Sequence, residues 1–349
     1  MRPRPMAVYT ELSKPFLKEL ADDYGLGRVT SAIGIPEGSV NTNYVLEAAK
    51  GKFLLRVDEV KGENELKREI DLLSFLRKHA FPCPHPMQDR MGRFYRNFNN
   101  RCVSLFKYQE GKVLAPARMK PSQLETIGHA LGDLHVIGKA YKKGIDNRFS
   151  FERIADLYLT VRNRLPNYFR KICRTLDDEV EYLTRYLEGK LPKGVIHGDI
   201  FSDNLLFRGE KMTAMLDFDA ACRGKFIFDI ATAVNALCFV DGAYSLDRFR
   251  YLLSGYESVR TLSLAEWDAF PNELRFSSLR FTVTRLHDFF LSPVDGKNRV
   301  DKDFREFFER LRVLRREREG GMEPLLMAMA TGYDYRKYQK VKATERRQA

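Results

Sequence analysis

The sequence predicts a two-lobed α+β (α/β) chain, with a small antiparallel sheet and one main helix over residues 1–106, then a larger, mainly helical part over 115–320. Three observations predict it. The first hundred residues alternate short apolar runs with turn formers, as strands joined by tight connections do. Leu66, Ile70, Leu73 and Leu76, and again Leu124, Ile127, Leu131 and Leu134, recur at the helical period. Within the helical part, two further apolar runs flank a polar tetrapeptide, the mark of an inserted hairpin.

In chain order, the stretch from Gly34 to Asn43 is rich in turn formers and leads into Tyr44–Glu47, with Lys52–Val57 returning. A loop of small residues between two strands offers backbone N–H groups to anionic oxygens, which makes Gly38, Ser39, Asn41, Thr42 and Asn43 its candidate phosphate-binding positions. Gly25-Leu26-Gly27 lacks the third glycine of a dinucleotide fingerprint, and no G-x-x-x-x-G-K-S/T occurs, which argues against a P-loop nucleotidase. The helix marked by Leu66 to Leu76 follows the returning strand. Residues 107–114 read as a linker, and Ser122-Gln123-Leu124-Glu125 has the form of a capping box opening the next helix. His135 on that helix reads as a structural histidine rather than a catalyst.

Chemistry enters at His197-Gly198-Asp199-Ile200-Phe201-Ser202-Asp203-Asn204, followed by Leu216-Asp217-Phe218. The apolar runs Asn204–Phe207 and Thr213–Leu216 flank Arg208–Lys211; pairing Arg208 with Lys211 sets Asn204 near Met215 and Ser202 near Asp217. Asn204 and Asp217 then share the open end of the hairpin, with His197 and Asp199 on the loop before it, although side-chain directions stay open. Phosphoryl transfer has a loose transition state, so the protein mainly positions groups and neutralises charge. Asp199 would orient an acceptor hydroxyl and take its proton late, because a carboxyl of pKa about 4 is a weak base toward an alcohol. An Asn amide oxygen and an Asp carboxylate, here Asn204 and Asp217, are the hard ligands Mg²⁺ accepts while keeping several waters. Each residue alone would read as a turn or capping residue; the joint spacing points to function.

These motifs, with Glu37–Tyr44, Leu55-Arg56-Val57 and Arg285-Leu286-His287-Asp288, resemble the aminoglycoside phosphotransferase and choline kinase superfamily, and within it the bacterial homoserine kinases. The resemblance covers Ala7 to Arg315. It implies a protein-kinase-like fold, ATP and Mg²⁺ as cofactors, and transfer of the γ-phosphate to the hydroxyl of a small amino acid or amino alcohol, homoserine first. Choline, ethanolamine, hydroxylysine or an aminoglycoside is the alternative acceptor, and a non-catalytic kinase-like binder the alternative role. Kinases pair a third-strand cation with a helix Glu. Arg56 matches the family's variant at that position, with Glu69 as its partner and Glu65 as the fallback. The linker would be the hinge whose backbone, from Phe106 through Tyr108, bonds adenine. Asp229 would support the catalytic loop, and Asn235, Arg285, His287 and Asp288 are the candidate acceptor-recognition set. Gly198 stands where protein kinases carry the activation-loop Arg, and only eleven residues separate Asp217 from Asp229, so a small molecule is favoured over a peptide.

Composition fits. The chain of 349 residues, 44% apolar, can bury a substantial core, and no segment has the roughly 20 apolar residues that span a bilayer. The start lacks a hydrophobic stretch, so no signal peptide is expected, with Met1 or Met6 as the initiator. Five cysteines without a C-x-x-C suit reduced thiols in a cytoplasmic monomer or homodimer. The net charge of +12 could suggest nucleic acid. However, the basic run Arg310–Arg318 alternates with Glu309, Glu317 and Glu319 on a helical pattern, with Phe304, Phe307, Phe308, Leu311 and Leu314 as a packing side. Residues 321–349 form a basic tail, read as disordered. With no zinc-finger spacing, aromatic box or G-x-x-G clamp, nucleic acid is not the expected partner.

Overall fold

The computed structural model describes residues 10–35, 41–187, 189–291 and 302–319. Two compact units divide the chain: one holds the chain to Gly111 and Thr213–Asp219, the other Lys112–Met212, Ala220–Leu291 and the chain from Asp303 on. The first break falls inside the expected linker of 107–114, while Thr213–Asp219 returns to the sheet unit. The basic tail and both candidate initiators lie outside the described residues.

The sheet unit opens with α1 (Lys14–Tyr24), β1 (Val29–Ile35), β2 (Thr42–Ala48), β3 (Gly51–Asp58), α2 (Glu63–Lys78), β4 (His85–Pro86), β5 (Tyr95–Phe98) and β6 (Arg101–Lys107). The strands form one antiparallel sheet in the order β1-β2-β3-β6-β4, with β5 also on β6. α1 escaped the sequence reading, yet its signals are present: Ser13 Oγ accepts from Phe16 N at 3.3 Å, and Gly25 ends the helix at φ 62°. That explains the Gly25-Leu26-Gly27 pair as a helix stop. On β3, Phe53, Leu55 and Val57 point into a core shared with Leu20, Tyr24, Leu46 and Leu105. Period two therefore sends Arg56 and Asp58 to the other face, toward α2.

The helical unit contains α3 (Pro121–Lys139), α4 (Phe151–Arg162), α5 (Arg170–Tyr186), β7 (Lys193–Ile196), β8 (Leu205–Arg208), β9 (Lys211–Met215), β10 (Cys222–Lys225), α6 (Phe226–Leu237), β11 (Phe239–Val240), β12 (Ala243–Tyr244), α7 (Leu246–Glu257), α8 (Leu264–Leu291) and α9 (Arg305–Glu319), β9 running on into the sheet unit. α3 starts before the expected Ser122: Pro121 takes the first helical position, and Gln123 Oε1 accepts from Lys120 N at 2.9 Å. α3 packs on α7 at backbone distance. A Cβ on Gly128 would lie 1.8 Å from Leu252 O, and one on Gly255 would lie 1.9 Å from Glu125 O. α8 is buried around most of its circumference against α4, α6 and α9. α9 buries Phe307, Leu311 and Leu314, and Phe304, just before it, is buried as well. The cysteines are free, and burial pushes the Cys83, Cys222 and Cys238 thiols up to about 12. Among the described residues no helix is long and apolar enough to cross a membrane.

Candidate active site

In the helical unit, β7 pairs antiparallel with β10 and delivers His197 at its end. Gly198 must be glycine twice over: its φ is 75°, and an added Cβ would sit 2.9 Å from Ala220 O. Asp229, in the first turn of α6 and fully buried, accepts from His197 N and Gly198 N at 2.7 Å each. His135 Nε2 lies 3.2 Å from the same carboxylate, and its Nδ1 lies 2.8 Å from the Tyr256 hydroxyl. Burial alone would raise the Asp229 carboxyl, but the His135 hydrogen bond and the His197 amide outweigh it and hold the group below its usual range. Burial also keeps His135 below its ordinary value. Its Nε2 faces a carboxylate that only accepts and therefore carries a proton, while its Nδ1 pairs with the Tyr256 hydroxyl. Tyr256 Oη accepts from Arg260 Nη1 at 2.9 Å, and Arg260 Nη2 forks onto buried Glu266 at 2.8 and 2.9 Å. A continuous chain of hydrogen bonds thus links Glu266 through Arg260, Tyr256, His135 and Asp229 to the His197–Asn204 loop.

The reactive end of that loop is ordered by its own side chains. Asn204, in the short 3₁₀ turn before β8, donates Nδ2 to Asp199 O at 2.8 Å and to Asp199 Oδ2 at 3.2 Å. Both partners are acceptors, so the amide nitrogen must face Asp199 and Oδ1 faces away, in the orientation a hard cation requires. Asp199 N in turn donates to His197 Nδ1 at 3.2 Å. The sequence reading missed Arg280 on α8. It is 3% exposed, donates Nη1 to Gly198 O, and lies 4.1 and 4.2 Å from the ring centroids of Phe149 and Phe281. Burial lowers this guanidinium to about 10, partly opposed by the nearby Asp199 charge. The Gly198 peptide is therefore gripped at its N–H by Asp229 and at its carbonyl by Arg280.

In the sheet unit, Arg56 forks onto Glu69 of α2 at 2.8 and 2.9 Å, with Asp58 3.4 Å from Nε. Arg56 also stacks 5.1 Å from the Phe106 ring. Lys61, absent from the sequence reading, donates to Glu69 at 2.6 Å and also pairs with Asp219. Burial opposes ionisation of Glu69, but Arg56 and Lys61 prevail and hold the carboxyl down at about 2. Asp217 adopts φ 57°, a left-handed conformation that an Asp tolerates through local bonding; here its Oδ1 accepts from Asp219 N at 3.4 Å. Such strain is held at functional sites more often than elsewhere.

Other expected positions fall differently. Gly38 and Ser39 lie outside the described residues. The Thr42 hydroxyl is fully buried, donating to Glu59 at 2.6 Å and accepting from Thr10 N, so it braces the strand instead of facing a phosphate. Asn41 Oδ1 accepts from Glu59 N at 3.4 Å, Asn43 Nδ2 reaches Asn41 O at 3.5 Å, and Tyr108 is 38% exposed. Asn235 is a correction: it is fully buried, with Nδ2 on Leu274 O and Oδ1 accepting from Tyr244, so both amide ends are taken by helix packing. Arg285 is likewise tied to Asp303 O and Glu306 while stacking on Phe307, and His287 bonds the exposed Asp288. These four do not form a single recognition set.

Comparison with known proteins identifies the family. Residues 31–262 match the phosphotransferase enzyme family. The chain is 34% identical to the homoserine kinase of Parvibaculum lavamentivorans over 312 residues, covering 89% of this chain and 96% of that one. It is 33% identical to the homoserine kinase of Paramagnetospirillum magneticum, covering 88% and 96%. Among solved structures it resembles an amicoumacin kinase, at a TM-score of 0.66 and 16% identity over 87% of this chain and 92% of that one. It also resembles the Plasmodium vivax ethanolamine kinase, at 0.61 and 16% over 88% and 90%. These remote likenesses show a shared kinase-like fold; the matched residues and the relatives of about one third identity establish that the chain belongs to the phosphotransferase enzyme family.

Proposed function

We propose that this protein moves the γ-phosphate of ATP to the hydroxyl of L-homoserine, giving O-phosphohomoserine for threonine synthesis. The similarity of about one third to homoserine kinases along nearly the whole chain supports the acceptor. The single observation that carries the chemistry is the ordered carboxylate of Asp199, bonded by Asn204 on a peptide gripped by Asp229. Asp199 would orient the acceptor hydroxyl toward the phosphorus and receive its proton as the O–P bond forms. Asn204 and Asp217 would hold Mg²⁺, which supplies neutralisation of charge on the phosphate oxygens. The outward Oδ1 of Asn204 and the carboxylate of Asp217 supply the hard oxygen donors that role needs. Arg56, fixed by Glu69, would contact the phosphates through its remaining N–H groups.

The test is a coupled ATP/Mg²⁺ assay over homoserine, hydroxylysine, choline, ethanolamine, methylthioribose and kanamycin, with Asp199→Asn alongside. Homoserine turnover that falls at least about 10²-fold in the variant is expected, within the usual contribution of a positioned base. Turnover on another acceptor alone would discard homoserine and keep the mechanism. Undiminished turnover in Asp199→Asn would discard the mechanism.

A further inference from the structure

Behind α2, on the sheet unit alone, lies a groove of about 460 Å³. The last helical turn contributes Arg77 and Lys78, and the β4–β6 pairing sets His85 directly opposite Lys107 on the same rim. Met87 and Phe94 supply an apolar flank, and no acidic residue lines the groove. Carboxylate pairing varies across the unit, and Arg28, Lys50, Arg68 and Arg90 have no such partner among the described residues. Lys52, Arg56, Lys61, Lys67, Arg93, Arg96 and Arg101 each pair with a carboxylate, whereas Arg77, Lys78 and the Lys107 ammonium have no carboxylate partner among the described residues.

Basic residues in a last helical turn complement the helix dipole, which explains Arg77 and Lys78 on their own. It does not explain Lys107 and His85, which come from the sheet and face them. Scattered surface lysines are ordinary too, but they repel one another and gain nothing from converging on a concavity. His85 reports the resulting field: burial lowers its ring, and Arg77 and Lys107 lower it further, with no acid acting in the other direction.

We propose that this groove binds a small phosphate-bearing anion, its charge held by Arg77, Lys78 and Lys107 and its carbon body resting on Met87 and Phe94. Phosphate oxygens suit the Arg fork and the two point charges better than a single carboxylate would. Because Arg77 and Lys78 share α2 with Glu69, an occupant would tie the helix that holds Arg56 to the sheet edge.

The His85 ring, followed by NMR through a pH titration, tests the proposal on the whole chain. A non-hydrolysable ATP analogue with Mg²⁺ is kept saturating so that the nucleotide site is already filled, and ionic strength is matched with chloride. Added pyrophosphate should raise the His85 midpoint by about one unit and saturate, as a nearby opposite charge does, with O-phosphoserine doing the same. Arg77→Ala with Lys78→Ala, both at exposed positions, should abolish that rise while leaving the remaining His resonances in place. A midpoint that does not move, moves equally with chloride alone, or still rises in the double variant would overturn the site.

Discussion

Replacing Arg280 by Met separates positioning from stability. The substitution removes a donor to Gly198 O, a charge-assisted bond whose loss costs about 1.5–3 kcal/mol. It also forfeits cation–π contact with Phe149 and Phe281, about 0.5–2 kcal/mol. Against this, burial has moved the guanidinium down from its ordinary value to about 10, so the folded state disfavours the cation by about 3 kcal/mol, which an apolar replacement recovers. The terms nearly cancel. Calorimetry should therefore find the Tm within a few degrees of wild type. Catalysis should not be spared, because a released Gly198 carbonyl lets the Asp199 loop drift, and a misplacement of about 1 Å can cost roughly 10²-fold. We expect kcat to fall about 10–100-fold with KM for ATP unchanged. The sign of the pH effect is also fixed. Losing the neighbouring cation makes the Asp199 carboxylate easier to protonate, so the acid limb of kcat/KM moves to higher pH, and Arg280→Lys restores it in part. A large drop in Tm with normal turnover in the folded fraction, or an unmoved acid limb, would refute the reasoning.

Glu69→Gln bears on the sheet unit: the folded carboxyl sits at about 2 against an unfolded value near 4.5, so its stabilisation is present above pH 4.5 and lost as pH falls toward 2. Urea unfolding should show a deficit of about 3 kcal/mol at pH 7, shrinking by more than half by pH 3, with a raised KM for ATP; equal deficits at both pH values would discount the ion pairs. Gly255→Ala puts a methyl 1.9 Å from Glu125 O and must push α7 off α3, which carry Tyr256 and His135. It should lower stability by about 3 kcal/mol and reduce kcat in the fraction that folds; wild-type Tm and turnover would count against the packing argument.

How much of this is legible without coordinates depends on whether the signal is local. Arg56 and Glu69 lie thirteen residues apart on a strand and the next helix, close enough for periodicity to align them. The candidate motif from His197 to Asn204 is visible in the sequence because its members lie within eight residues. Arg280 is not: α8 is buried on nearly every side, so it has no apolar stripe, and a mid-helix arginine reads as a surface residue. Tyr256 and Arg260 join the loop through His135, more than a hundred residues away, by contacts that only tertiary packing creates. Asn235 misleads for the opposite reason. A polar residue in an apolar helix looks like a ligand, but here both its ends satisfy neighbouring backbone and hydroxyl groups.

The grip on Gly198 from Asp229 and Arg280 has an evolutionary corollary. The loop that carries Asp199, the proposed base, takes its position from interior side chains of α6 and α8. A lineage built this way can exchange its acceptor by altering residues at the mouth of the site, inheriting the position of the base unchanged.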